Sequence, residues 1–289
     1  MCPVEAIFNR QWTCVVKRLS GVLEAETHYL DTAREMSVRL TVEPRTFAIL
    51  KATSETCRSP EGRERCRARE IPELAGVTAY FEASKELHRV RWESELERLL
   101  IAESIRGVIQ AETFLLPERG FASAKAYDEY WEQMYRNSCR YYSNLERVRR
   151  RWMEHVAEQE RFGLLYARHY ALSVYGAGGG SSRLLLTGAF GDSFHELNLV
   201  LEVAWPGGSV VSASARMLRG PDEVCREGME LASGLVSRQL TALRGKKEVA
   251  ALLGGQNGCV HLIDLAYNLL QTVPPTLDFS RYNSAYPIV

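Results

Sequence analysis

Apolar and polar residues alternate along two separate parts of the chain, the pattern of strands that bury one face. SVRLTV at residues 37–42 and LNLVLEV at residues 197–203 show it most clearly. Each segment is preceded by two further strand-like segments and followed, after a short turn, by another. The eight predicted strands are residues 12–19, 22–30, 37–42 and 46–55, and residues 170–177, 182–190, 197–203 and 209–218. Short turns between successive strands predict antiparallel meanders.

Helix signals follow the second meander and fill the stretch between the two. Pro221 and Asp222 precede an apolar-periodic segment at 223–236, and Gly254 and Gly255 precede a last predicted helix at 259–273. Residues 124–164 carry aromatic residues at helical spacing and predict one long helix whose aromatic stripe packs into a core. These aromatic residues are Tyr127, Tyr130, Trp131, Tyr135, Tyr141, Tyr142 and Trp152. A meander completed by helices is the α+β class.

The two strand-rich parts resemble each other in sequence. Residues 31–60 overlay residues 192–221 without a gap, and seven positions are identical. The first part contributes Asp31, Glu35, Leu40, Val42, Ala52, Arg58 and Pro60, which meet Asp192, Glu196, Leu201, Val203, Ala213, Arg219 and Pro221. After a small shift, Cys66-Arg67 meets Cys225-Arg226 and residues 73–77 meet 230–236. A constant register through two strands and a turn predicts a tandem duplication.

The predicted organisation therefore has three parts. Residues 1–118 form a degenerate first copy of the module, residues 119–164 a long helical linker, and residues 165–289 a second copy that carries the candidate site.

Composition and charge exclude several classes of protein. The chain is 46% apolar and 25% charged, and its 36 Lys and Arg balance its 36 Asp and Glu. A balanced charge gives no global field for nucleic acid or an anionic membrane. The first residues lack a secretory pattern and no segment has the roughly 20 apolar residues of a membrane span, so we expect a cytoplasmic protein. Seven scattered cysteines predict reduced and mostly buried thiols rather than a disulfide framework.

Candidate chemistry gathers in the second copy, at the ends of predicted elements. His195 precedes a strand, and Cys225 and Cys259 open helices, where free N–H groups and the helix dipole favour a thiolate. Two sulfurs and an imidazole are typical ligands of a transition metal, zinc or iron. Glu196 and His261 are the candidates for moving a proton or supplying a fourth ligand.

Two observations bear on this set. Residues two apart on a regular helix point about 200° apart, so Cys259 and His261 share a ligand only if the first turn is irregular. In the first copy, Arg34 occupies the position that corresponds to His195. Aligning SIRGVIQAETFLL with GCVHLIDLAYNLL matches Ile105 with Cys259 and Gly107 with His261. This asymmetry fits one functional site with a structural partner module, and it also fits drift in a structural role.

Two resemblances accompany this interpretation. FHELNLVLEV, PDEVC and LGGQNGCVHLIDL resemble an uncharacterised bacterial domain of unknown function, the family numbered 2889, over about residues 165–275. The family implies no activity. The order of a meander, a ligand near a strand start and two cysteines opening helices is also similar to the IscU-type iron-sulfur scaffold fold. That resemblance implies metal binding by His195, Cys225 and Cys259, with Glu196 or His261 as a fourth ligand.

Two functions follow as hypotheses. The first is a metal-dependent enzyme that acts on a small molecule, with metal bound by His195, Cys225 and Cys259 and a proton moved by His261 or Glu196. The second is a non-enzymatic metal or ligand carrier, or an interaction subunit. A closed ligand set favours the carrier, because a catalytic site must leave a coordination position open.

Overall fold

The computed structural model describes residues 4–60, 66–156, 160–177 and 183–273. Over these ranges the chain has the predicted mixture of helices and sheet, with nine strands in one antiparallel sheet of order β5-β4-β3-β2-β1-β6-β7-β8-β9. The strands are β1 Val4–Leu19, β2 Val22–Asp31, β3 Glu35–Val42, β4 Ile49–Arg58, β5 Arg67–Glu70, β6 Leu164–Ala177, β7 Arg183–Asp192, β8 Glu196–Ala204 and β9 Ser209–Arg219. The predicted α+β class and the strand meanders are confirmed.

Seven α-helices lie within the same described ranges. They are α1 Ala83–Leu87, α2 Glu95–Ala111, α3 Ala124–Met134, α4 Trp152–Val156, α5 Glu223–Glu227, α6 Lys246–Leu252 and α7 Val260–Leu270. The helix predicted at 223–236 is α5 followed by a 3₁₀ helix, Gly228–Leu235. Among these helices none combines the length and the apolar character that crossing a bilayer requires.

The linker holds two short helices rather than the one long helix that its aromatic spacing predicted. Between α3 and α4 the backbone forms turns, and Asn137 adopts a positive φ of 60° that interrupts any continuous helix. The aromatic residues still pack: the rings of Trp131 and Tyr135 stack at 4.5 Å, and those of Tyr135 and Tyr142 at 5.4 Å.

The chain divides into two compact units. The N-terminal unit comprises Gln11–Tyr130 and Trp152–His169, and the C-terminal unit comprises Met1–Arg10, Trp131–Arg151 and Tyr170–Val289. Strands β1 and β6 thus contribute residues to both units.

Strand pairing follows one numerical offset in the two units. In the N-terminal unit Glu35 pairs with Arg58 across β3 and β4, and in the C-terminal unit Glu196 pairs with Arg219 across β8 and β9, so both offsets are 161 (196 − 35 and 219 − 58). The two register shifts in each pair also fall at corresponding positions, after the first residue of the strand and before Val42 or Val203. The β2–β3 and β7–β8 pairings keep the same offset.

The offset continues beyond the strands without the shift that the sequence comparison introduced. An isolated bridge joins Ala48 to Thr78 in one unit and Ser209 to Gln239 in the other, again 161 residues apart. The pairing of Cys66 with Cys225 is wrong, because Cys66 lies exposed just before β5 and Cys225 is buried in α5.

One helix covers the corresponding strands in each unit. Helix α2 packs on β2 and β3, and α7 packs on β7 and β8. Ser104 of α2 meets Thr27, with 2.7 Å between their hydroxyl oxygens. Leu265 of α7 meets Gly188 of β7 so closely that a Cβ at Gly188 would lie 3.0 Å from Leu265 Cδ1.

The Thr27–Ser104 and Gly188–Leu265 contacts also differ by 161 residues in both partners. They therefore align α2 with α7 differently from the sequence comparison. Thr27 corresponds to Gly188 and Ser104 to Leu265. The residue that corresponds to Cys259 is then Arg98, and the one that corresponds to His261 is Leu100. The predicted pairing of Ile105 with Cys259 and Gly107 with His261 was displaced by seven residues, two helical turns that preserve the buried face.

Candidate functional site

A tight turn between β7 and β8 forms the first part of the candidate site. Asp192 ends β7, and its Oδ1 accepts the main-chain N–H groups of Phe194 at 2.7 Å and His195 at 2.6 Å. The Asp192 N–H donates to the carbonyl of His195 at 2.8 Å. A carboxylate that accepts N–H groups two and three residues ahead fixes the backbone of a turn, the usual role of Asp at such positions.

Arg219 secures this turn from the neighbouring strand. Its Nη2 donates to the carbonyl of Asp192 at 2.7 Å and to that of His195 at 3.3 Å, and its Nη1 donates to the carbonyl of Ser193 at 2.9 Å. The guanidinium group thus donates to three carbonyls of the turn. The position of the His195 side chain is therefore set by the backbone around it.

Helix α7 reaches the turn because it packs along one face of β7. Gly188, Phe190 and Asp192 lie on one face of β7 because side chains alternate with a period of two. Leu265 lies over Gly188, and His261, four residues earlier in α7, lies over Phe190. The helix therefore runs antiparallel to β7. Four helical residues span about 6 Å and two strand residues about 6.8 Å, so successive turns of α7 contact alternate residues of β7.

The two imidazoles meet at the end of this row. The ring of His261 stacks on Phe190 with 4.9 Å between centroids and 20° between planes. Its centroid lies 4.1 Å from that of His195. His195 Nδ1 lies 3.1 Å from Asp192 Oδ1 and 3.4 Å from Oδ2. His195 Nδ1 and the Asp192 carboxylate are thus close enough to face one ion or to share one proton.

Asp192, His195 and His261 together form a group that can hold a metal ion. One potential ligand atom from each residue lies within 4.8 Å of the others. Asp192 is 7% exposed and His195 8% exposed, whereas His261 is half-buried. Asp192 and His195 are thus the buried members of the group, and His261 is the more accessible one.

Cys225 and Cys259, the predicted sulfur ligands, lie elsewhere in the C-terminal unit. Among the described residues, the groups of three or more potential ligands within 4.8 Å do not bring Cys225 or Cys259 together with His195. Cys259 is the N-cap residue of α7, at the helix start that the sequence indicated, and its side chain is buried. Cys225 lies in α5 and is also buried.

Burial opposes the thiolate form predicted for Cys259. Burial raises the pKa of the Cys259 thiol to about 12, although the N–H groups of Leu262 and His261 at the start of α7 lower it. Burial, followed by the neighbouring thiols Cys259 and Cys139, likewise raises the pKa of Cys225. The helix terminus acts in the predicted direction, but the loss of solvent outweighs it.

Glu196 does not join the candidate site. It begins β8 and is exposed, while the next residue, Leu197, is buried on the opposite face. Within the described chain it does not belong to a group of three or more potential ligands. Of the five predicted site residues, the structure thus brings together His195 and His261.

Asp192 is the site residue that sequence reasoning missed. In the sequence comparison it is one of the seven identical pairs, matched with Asp31. The spacing Asp-x-x-His, with an oxygen acceptor three residues before an imidazole, is the signal that could have identified it.

The corresponding turn of the N-terminal unit has the same backbone and different side chains. Asp31 Oδ1 accepts the N–H of Arg34 at 2.6 Å, and Arg58 Nη2 donates to the carbonyls of Asp31 at 2.9 Å and Arg34 at 3.3 Å. The hydroxyl of Tyr29 donates to Asp31 Oδ2 at 2.5 Å. In the C-terminal unit Phe190 replaces that tyrosine, and His195 approaches the carboxylate instead.

Comparison with known proteins gives one match. Residues 185–274 match the family model described as a protein of unknown function, DUF2889. This range contains the turn, Arg219 and α7, and it supports the resemblance stated for the second part of the chain. A search of curated proteins and a search of solved structures each returned no significant match.

Proposed function

We propose that Asp192, His195 and His261 bind a divalent transition metal and that the protein is a metal-dependent enzyme acting on a small molecule. The observation that carries the proposal is the 4.8 Å limit on the separations among the three potential ligand atoms. Two atoms bound tetrahedrally to one zinc ion at 2.0–2.1 Å lie about 3.4 Å apart. A movement of up to about 1.4 Å therefore closes the site around an ion.

The ligand chemistry favours zinc or iron. Two imidazoles and a carboxylate are the ligands of catalytic zinc sites and of the facial sites of non-haem iron enzymes. Such sets leave coordination positions for water or substrate, and the half-buried His261 lies on the more accessible side. A bound metal would supply an activated water or polarise a carbonyl there. An open ligand set supports an enzyme over a structural metal centre.

The protein's own residues prepare the site before any ion arrives. Asp192 is held by two main-chain N–H groups, and Arg219 holds the carbonyls on either side of it. His195 is thereby oriented with Nδ1 toward the carboxylate, and Phe190 supports the ring of His261. Ligands fixed by a second layer of contacts lose little entropy on binding.

We also propose that the two units arose by tandem duplication and that one copy kept the site. The support is the constant offset of 161 through three strands, two register shifts, an isolated bridge and a helix contact. At the three ligand positions the N-terminal unit has Asp31, Arg34 and Leu100. It retains the carboxylate that shapes the turn and lacks both imidazoles.

The test is metal analysis of protein purified without added metal, compared with the variant His195→Arg. The wild type is expected to bind one equivalent of zinc or iron more than the variant. Cys259→Ala is the matched control and should bind as much metal as wild type, because its thiol is not grouped with the histidines. A wild type that binds no more metal than His195→Arg contradicts the proposal, as does metal loss confined to Cys259→Ala.

A cavity in the N-terminal unit supports a second candidate function, that of a carrier for an anionic small molecule. The cavity has a volume of about 450 Å³ and is lined by Arg34, Arg58 and Arg67 together with Glu93 and Glu95. Glu93 pairs with Arg67 at 3.4 Å, which leaves Arg34 and Arg58 to supply positive charge. Guanidinium groups bind carboxylates and phosphates well. Saturable binding of citrate that is lost in Arg34→Ala and kept in His195→Arg would favour this function.

A further inference from the structure

A second pair of cysteines faces one another on the N-terminal unit. In the antiparallel pairing of β4 and β5, Thr56 lies opposite Arg67. The next pair in this register is Cys57 and Cys66. Residues directly opposite in an antiparallel pair place their side chains on the same face, with Cβ atoms about 4.5–5.5 Å apart. The two thiols are hydrogen-bonded to each other.

A carboxylate completes the group. Glu55 lies two residues before Cys57 on β4, so both side chains project from the same face of the strand. One ligand atom from each of Glu55, Cys57 and Cys66 lies within 4.8 Å of the other two. Cys66 and Glu55 are exposed and Cys57 is half-buried, so the group is accessible to solvent. It lies at the β5 edge of the sheet.

We propose that Glu55, Cys57 and Cys66 bind a thiophilic divalent cation, of which zinc is the reference ion. Two sulfur ligands at about 2.3 Å and one carboxylate oxygen at about 2.0–2.2 Å are ordinary zinc ligands, and water can take the fourth position. Binding releases the thiol protons to solvent as the ion neutralises the thiolates. The site is separate from Asp192, His195 and His261 and does not depend on the function proposed for them.

Metal binding fits this pair better than disulfide formation. Glu55 gives the pair a third ligand that a disulfide would not use.

Cobalt(II) titration of the reduced, metal-free protein tests the proposal, because thiolate coordination gives an intense charge-transfer absorption in the near ultraviolet. The wild type is expected to develop this band, with an intensity at saturation that corresponds to one thiolate-bound cobalt ion. Cys57→Ser and Cys66→Ser should lose it. Glu55→Gln should keep the band with affinity weaker by roughly tenfold or more.

Two controls separate this site from the others. Cys225→Ser removes a buried thiol and should keep the band. His195→Arg should also keep it, because imidazole and carboxylate ligands give no thiolate band, so failure of the histidine site leaves this result unchanged. The proposal is overturned if reduced wild type shows no band, if the band survives both serine substitutions, or if the pair oxidises to a disulfide and binds no cobalt after reduction.

Discussion

His261 lies against His195, with 4.1 Å between ring centroids, because α7 runs antiparallel to β7 over the side chain of Phe190. Two imidazoles from distant parts of the chain are thereby placed beside one carboxylate. The carboxylate and His195 belong to a turn whose backbone the N-terminal unit also forms, with Arg34 in the position of His195.

This correspondence predicts that the histidines serve function and not folding. His195→Arg and His261→Leu each install the residue that the N-terminal unit carries at the corresponding position. We expect the free energy of unfolding of each variant to lie within about 1 kcal/mol of wild type, because the turn and helix contacts already accommodate these residues. Metal content should fall by one equivalent in both. Denaturant unfolding and metal analysis check the two halves of the prediction.

Arg219 and Arg58 provide a matched pair that separates stability from metal binding. Each donates to the carbonyls of its own Asp turn. Substituting either by Ala should lower the free energy of unfolding by about 1–3 kcal/mol, because charged donors to backbone carbonyls are lost. Arg219→Ala should also weaken metal binding by roughly 10–100-fold, since it supports the ligand-bearing turn.

Arg58→Ala should leave metal affinity unchanged. Equal losses of affinity in the two variants, measured by competition with a chelator, would show that the effect comes from general destabilisation and would argue against a metal site at Asp192.

Eight of the nine strands were predictable from the sequence, because alternation with a period of two and short turns leave few alternatives, whereas β5 was not predicted. The juxtaposition of His195 and His261 was not predicted either. It depends on Leu265 packing at Gly188, which sets how far α7 slides along β7. A shift of seven residues in α2 or α7 keeps the same face buried, so hydrophobic periodicity alone does not fix that position.

The role of the thiols was misjudged for a different reason. The sequence shows that Cys259 lies at a helix start, where the dipole lowers a thiol pKa, but it does not show how deeply the side chain is buried. In the structure Cys259 is 6% exposed, and desolvation dominates. The sequence predicted that the helix start lowers the pKa of the Cys259 thiol. It did not predict that desolvation raises this pKa by more.

Thiol labelling should follow burial and not position at helix starts. Cys66 is exposed, whereas burial raises the pKa values of Cys14 and Cys259 to about 12. With metal-free native protein at neutral pH, iodoacetamide should modify Cys66 first, and Cys14 and Cys259 only when the protein unfolds. Peptide mapping by mass spectrometry measures the order. Rapid native modification of Cys259 would restore the thiolate hypothesis.

Asp222 predicts an acid dependence of stability. Its Oδ1 caps α5 by accepting the Val224 N–H at 3.1 Å, and its Oδ2 accepts the Arg149 N–H at 2.9 Å. Although burial opposes ionisation, these N–H groups and that of Arg150 lower the pKa of Asp222 below 3.8. A depressed pKa stabilises the folded state fully above the unfolded value and loses that contribution as pH falls through the folded value.

The variant Asp222→Ala should therefore be less stable than wild type by about 1–2 kcal/mol near neutral pH, as expected for loss of a helix cap. The difference should shrink below about pH 4, where the wild-type carboxylate becomes protonated. Thermal unfolding of both proteins across this range measures it. A difference that stays constant down to pH 2 would show that the charge of Asp222 contributes nothing.

Gly107 predicts a packing effect whose origin can be isolated. It lies in α2, and a Cβ there would approach Cys14 Sγ to 2.7 Å and Val16 Cγ2 to 3.0 Å. Alanine gains about 1 kcal/mol of helix propensity over glycine, while overpacking a core costs typically 1–3 kcal/mol. The clash with a buried thiol outweighs the propensity, so Gly107→Ala should be destabilising.

Cys14→Ala removes the sulfur atom that the new methyl group would meet. The double variant should therefore be more stable than the sum of the two single effects predicts, with an interaction energy of about 0.5–2 kcal/mol. Gly163→Ala is the control, because nothing lies within 4 Å of its Cβ position, and it should change stability by less than about 0.5 kcal/mol. Strict additivity of Gly107→Ala and Cys14→Ala in denaturant unfolding would mean that α2 does not approach β1 at this contact.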